Sequence, residues 1–153
     1  MAQLPFTSRL AGEQGWTHAF AGRAVREYKR FMGLAAVAGH PVSPPEVVDQ
    51  VWHLHLVYTK SYWHDFCRDL LGKEIHHCPT TGGSAENEKF EDWYARTLES
   101  YRRVFHEEPP ADIWPSPARK RRESGLGRWI DPAAFWLLPR PAWLGRLIRK
   151  FSS

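Results

Sequence analysis

The sequence predicts an all-α protein: a small bundle of three main helices with a His/Cys-bearing loop and a basic, aromatic C-terminal appendage. Three observations predict it. Apolar residues recur at three- and four-residue spacing in three stretches, helix start and stop signals bound those stretches, and the connections are short or rich in Pro and Gly. At 153 residues, 42% hydrophobic and 25% charged, the chain can bury one core. The same composition excludes collagen-like, coiled-coil and wholly disordered chains.

The first helix is expected over residues 19–38, where Phe20, Ala24, Tyr28, Phe31 and Ala35 form an apolar stripe and Gly39 can end it. The connection Gly39-His40-Pro41-Val42 leads to Ser43-Pro44-Pro45-Glu46. Here Ser43 reads as an N-cap, Pro44 as the first helical residue, which needs no amide hydrogen, and Glu46 as the end of a capping box. The central helix is expected to run on from there without a break. Its stripe is Val48, Trp52, Leu56, Thr59, Trp63, Phe66 and Leu70, and Gly72 stops it. Residues 73–84, with Pro79 and Gly82-Gly83, read as a loop with a short extended piece near Ile75. A third helix is expected over residues 84–105, on a stripe of Phe90, Trp93, Tyr94, Thr97, Leu98, Tyr101 and Phe105. Pro109-Pro110 forbids its continuation.

Residues 1–115 are read as the body and 116–153 as a tail, and charge separates the two. The net charge of +4 divides into 12 basic and 15 acidic residues in the body against 9 basic and 2 acidic in the tail. The tail interleaves Trp129, Phe135, Trp136, Trp143 and Phe151 with Arg128, Arg140, Arg146, Arg149 and Lys150. That mixture suits an anionic membrane surface or an apolar groove on a partner protein, and fits lipid at least as well as nucleic acid. Docking back onto the helical core is the other reading of the same aromatics. No apolar run approaches the roughly 20 residues of a membrane span, and the opening lacks a signal-like stretch, so a cytoplasmic location, peripheral to the membrane through the tail, is expected. Cys67 and Cys78 are too few for a disulfide framework.

Candidate chemistry concentrates in Asp49-Gln50-Val51-Trp52-His53-Leu54-His55 and in the loop His76-His77-Cys78. On a helix, His53 and His55 lie about 200° apart, so they cannot both ligate one ion. His53 follows Asp49 by one turn, and the carboxylate can fix its tautomer, which suits a metal ligand or a general base. His55 falls on the side of Trp52, Thr59 and Tyr62, where a hydrogen bond to a neighbouring helix is expected. Cys67 lies about 21 Å along the helix from His53, so those two are not co-ligands. Two ligand sets therefore compete for a zinc ion: Asp49, His53 and His77, or Cys67, His76 and Cys78. The cysteine-containing set matches the spacing of no standard zinc finger. Thr80-Thr81-Gly82-Gly83-Ser84 resembles a phosphate cradle but lacks the lysine of a Walker loop.

The run Val48-Asp49-Gln50-Val51-Trp52-His53-Leu54-His55-Leu56, followed by Tyr62, Cys67, Gly72 and His77, resembles the glycine-rich domain-containing proteins of plants and their short bacterial relatives over about residues 17–115. The resemblance implies a mostly helical domain without an established activity, and maps the family's motif onto Asp49, Trp52, His53, His55, Tyr62, Cys67 and His77. The chain has no glycine-rich extension and no RNA-recognition segment, so the RNA role suggested for the plant members is not carried over. Three functional readings follow. The first is an accessory domain with a zinc site, the second an interaction module acting through residues 116–153, and the third a hydrolase in which His53, oriented by Asp49, activates water.

Overall fold

A computed structural model describes residues 5–78 and 84–119, and all its described elements lie in the first of two units into which the chain divides, Met1–Arg121. The described residues are helical, with no strand among them. The tail beyond residue 119 and the Thr80 to Gly83 part of the suggested phosphate cradle lie outside the described residues.

Helix α1 (Phe6–Gln14) was not anticipated. It buries Leu10 and Ala11 and ends at Gly15, whose φ of 67° is a left-handed stop. Helix α2 (His18–Val37) begins where the Thr17 hydroxyl accepts the amide hydrogen of Phe20, a cap worth about 1 kcal/mol. It packs against α1, α3 and α4, so its buried residues Ala21, Ala24, Tyr28, Phe31, Met32 and Leu34 form the hub of the core.

Two expectations for the central helix are corrected. Helix α3 (Glu46–Val57) starts later than the capping box implies, with Pro45 extended ahead of it and no side-chain cap. Ser43 and Pro44 each precede a proline, and the proline ring disfavours helical geometry in the residue before it. Ser43 is instead buried, and its backbone N–H donates to Thr97 Oγ1 at 3.0 Å. Nor does the helix run unbroken to Gly72. Tyr58 leaves helical geometry at φ −86°, ψ 61°, and the chain resumes as a wider π-helix, π1 (Ser61–Leu71). Its wide turns re-phase the apolar stripe. Tyr62, Phe66 and Cys67 face the core, while Thr59 and Leu70, placed on the stripe by simple 3.6-residue spacing, are exposed.

Helix α4 (Ser84–Phe105) has the bounds its periodicity predicts and buries Tyr94, Thr97, Leu98 and Tyr101. A buried carboxylate joins it to α2. Glu27 Oε2 accepts from Tyr101 Oη at 2.9 Å and from Trp114 Nε1 at 3.0 Å, and Arg30 lies 3.5 Å from Oε1. One side chain thus holds α2, α4 and the segment after Pro109-Pro110 together, with hydrogen bonds to Oε2 and an arginine beside Oε1, as a buried polar group requires.

Candidate functional site

Asp49, His53 and His77 meet at the surface of α3. Asp49 and His53 are one helical turn apart, so both side chains project from one face. His77 arrives from the loop after π1, and its position depends on a relay in the core beneath. Trp52 Nε1 donates to Tyr62 Oη at 2.9 Å, and the Tyr62 hydroxyl donates in turn to the backbone carbonyl of Ile75. Burial pushes the Tyr62 phenol well above its ordinary pKa, so it stays a donor. Ile75 is buried, and the chain beyond it lays the His77 ring against the Trp52 indole, centroids 4.5 Å apart.

His77 Nε2 is then 2.8 Å from Asp49 Oδ1, His53 Nε2 is 3.6 Å from Asp49 Oδ2, and the two imidazole centroids are 4.6 Å apart. One ligand atom from each of the three residues lies within 4.8 Å of the other two. Asp49 and His77 are partly covered, at 28% and 20% side-chain exposure, whereas His53 is 50% exposed, so the cluster opens to water on the His53 side.

The competing set does not converge. Cys67 is wholly buried on π1, Cys78 is exposed, and His76 turns outward beside Glu74 and the Trp63 ring. Among the described residues, the group of three possible ligand side chains is Asp49, His53 and His77. His55 points away from this cluster. Its Nδ1 is 2.8 Å from Tyr28 Oη on α2 and its Nε2 is 3.3 Å from Ser61 Oγ, and burial, with Lys29 second, lowers its pKa. The i, i+2 histidines thus serve opposite faces of α3, as the helical period requires.

The comparison with known families agrees with a domain of this extent. The UCP032817-like family matches residues 14–106, more than half of the chain. The chain belongs to that family. No curated protein and no solved structure matches it. The glycine-rich domain resemblance is therefore corrected: the match is to the UCP032817-like family instead. The run from Val48 to Leu56 that carried the resemblance lies on α3, where Val48, Trp52 and Leu54 are buried. The UCP032817-like match includes α2, α3, π1 and α4, and with them Asp49, His53 and His77. No described helix is long and apolar enough to cross a membrane.

Proposed function

We propose that this UCP032817-like protein is a helical accessory domain that binds one divalent transition-metal ion, zinc, through Asp49, His53 and His77. The supporting observation is the convergence of two imidazole nitrogens and one carboxylate oxygen from separate elements within 4.8 Å. Bonds of about 2.0–2.1 Å in a tetrahedral site put ligand atoms roughly 3.3 Å apart, so the cluster needs only small side-chain adjustments. Zinc would replace the hydrogen bond between His77 and Asp49. Two nitrogens and one oxygen form a borderline donor set suited to zinc and its neighbours, and unsuited to calcium or magnesium. Three protein ligands leave the fourth position to water on the open His53 side, the arrangement from which a water-activating hydrolase role would follow.

The test is titration of metal-stripped, untagged protein with zinc, followed by calorimetry and by melting. One zinc per chain is expected in wild type and Cys78→Ala, with binding lost in His53→Ala, whose half-exposed side chain can be removed without disturbing the core. Zinc at 100 times Kd adds about 2.7 kcal/mol to stability. Absence of both binding and a melting shift in wild type refutes the reading.

The second reading rests on charge. The excess of 9 basic over 2 acidic residues in 116–153, interleaved with Trp and Leu, supports a tail that engages an anionic membrane or a partner's apolar groove. Deleting residues 116–153 should abolish binding to anionic vesicles and leave the helical signal of the body intact.

A further inference from the structure

The opposite face of α3 opens on a cavity of about 540 Å³, within the size range of small-molecule sites. Its walls come from four elements. Phe6 stands on α1, Val25 and Tyr28 on α2, Tyr58 at the break after α3, and Phe66 and Leu71 on π1. Phe6 meets the rings of His55 and Tyr58 edge-on at 5.8 and 5.5 Å, and Phe66 stacks on Tyr28 at 5.8 Å. The π-helix supplies five of the lining residues. It is also what turns Ser61 and Phe66 toward the cavity.

The polar lining is small and ordered. Tyr28 is 2% exposed, and the contact its hydroxyl makes is with His55 Nδ1. If that nitrogen carried the proton, the Tyr28 hydroxyl hydrogen would be buried without an acceptor, at a cost of about 1–3 kcal/mol. The favoured direction is therefore Tyr28 O–H to Nδ1, then Nε2–H to Ser61 Oγ, which leaves the Ser61 hydroxyl hydrogen to be given away. Lys29 and Asp65, both exposed lining residues, carry opposite charges that cancel at the rim.

We propose that this cavity binds an uncharged, largely apolar small molecule bearing one hydrogen-bond-accepting oxygen, with its body between Phe6, Tyr58 and Phe66 and its oxygen on the Ser61 hydroxyl. The site is independent of the zinc cluster, which lies on the other face of α3.

The probe is 6-propionyl-2-(dimethylamino)naphthalene, an uncharged aryl ketone whose emission shifts to the blue in an apolar site, titrated into the full chain with and without chelator. One saturable site with blue-shifted emission is expected, unaffected by chelator. Ser61→Ala should weaken it roughly five- to tenfold. Thr7→Trp, which places an indole in the cavity, should abolish it with the helical circular dichroism unchanged. No saturable binding to wild type overturns the proposal, as does wild-type affinity in Ser61→Ala. That variant decides the matter alone if Thr7→Trp fails to fold. Tighter binding of an anionic naphthalene sulfonate overturns the assignment of an uncharged ligand.

Discussion

Tyr62→Phe removes one oxygen and tests how the loop bearing His77 is held. That oxygen accepts from Trp52 Nε1 and donates to the Ile75 carbonyl in a wholly buried position. Without it the indole N–H has no acceptor and the carbonyl loses its donor, each a buried polar group whose desolvation goes unpaid. At about 1–3 kcal/mol for an orphaned buried group, and less for a carbonyl with a second lone pair, the expected loss is about 2–4 kcal/mol. The assay is urea denaturation at neutral pH in the presence of chelator, so that metal binding does not enter. In a Trp52→Phe background the same change should cost about 1–2 kcal/mol less, because the orphaned indole donor is already gone; that difference is the coupling energy of the pair. The affinity of the proposed zinc site should also fall in Tyr62→Phe, because the loop that carries His77 loses its tie at the Ile75 carbonyl. A stability change within 0.5 kcal/mol of wild type, or zero coupling to Trp52, refutes the relay as the device that positions His77.

Three further outcomes are expected. Glu27→Ala strips the acceptor shared by the buried Tyr101 and Trp114 donors, while Arg30 keeps Glu107 at 2.9 Å, so chemical denaturation should show a loss of about 2–4 kcal/mol; a loss below 1 kcal/mol would mean the network is not a structural tie. Burial raises the phenols of Tyr28 and Tyr62 and holds Tyr101 at about 12, against an ordinary value of 10.0. The unfolded chain therefore releases these protons first, so the stability they contribute is complete below pH 10 and declines as pH rises through about 12. Ultraviolet titration of the native protein should leave these three of the five tyrosines un-ionised at pH 10.5, and full native ionisation there would contradict the burial. With Cys78 exposed and Cys67 wholly buried, a thiol reagent should modify one cysteine rapidly in native protein and both in denaturant; two fast thiols would mean that π1 is not packed as described.

Much of the helical outline was legible in the sequence because periodicity and local capping are short-range properties. The stripe from Phe90 to Phe105 places α4 at its observed bounds, and Gly39 and Gly72 both adopt the left-handed geometry expected of helix stops. The spacing of Asp49 and His53 likewise puts them on one helical face without reference to the rest of the chain, and the 200° between His53 and His55 separates their roles.

What local pattern could not decide were events set by competition between distant groups. The break at Tyr58 and the π-helix after it depend on fitting Tyr62, Phe66 and Cys67 into a core already occupied by Tyr28 and Trp52. A 3.6-residue count therefore misplaces Thr59 and Leu70. Ser43 is drawn to Thr97, 54 positions away, by a hydrogen bond no local motif contains. Helix α1 has a weak stripe of its own, is stabilised by burying Leu10 and Ala11 against α2, and supplies Phe6 to the cavity. Which of the two candidate sets comes together in space was also tertiary. Sequence spacing puts Asp49, His53 and His77 first and keeps Cys67, His76 and Cys78 as the competing set. The Trp52 to Tyr62 to Ile75 relay, which carries the loop back over α3, brings His77 to Asp49 and leaves His76 and Cys78 turned to water. Helix periodicity is written in the covalent chain, but the direction of a loop return is settled by which buried polar groups it satisfies, and those exist only once the core has formed.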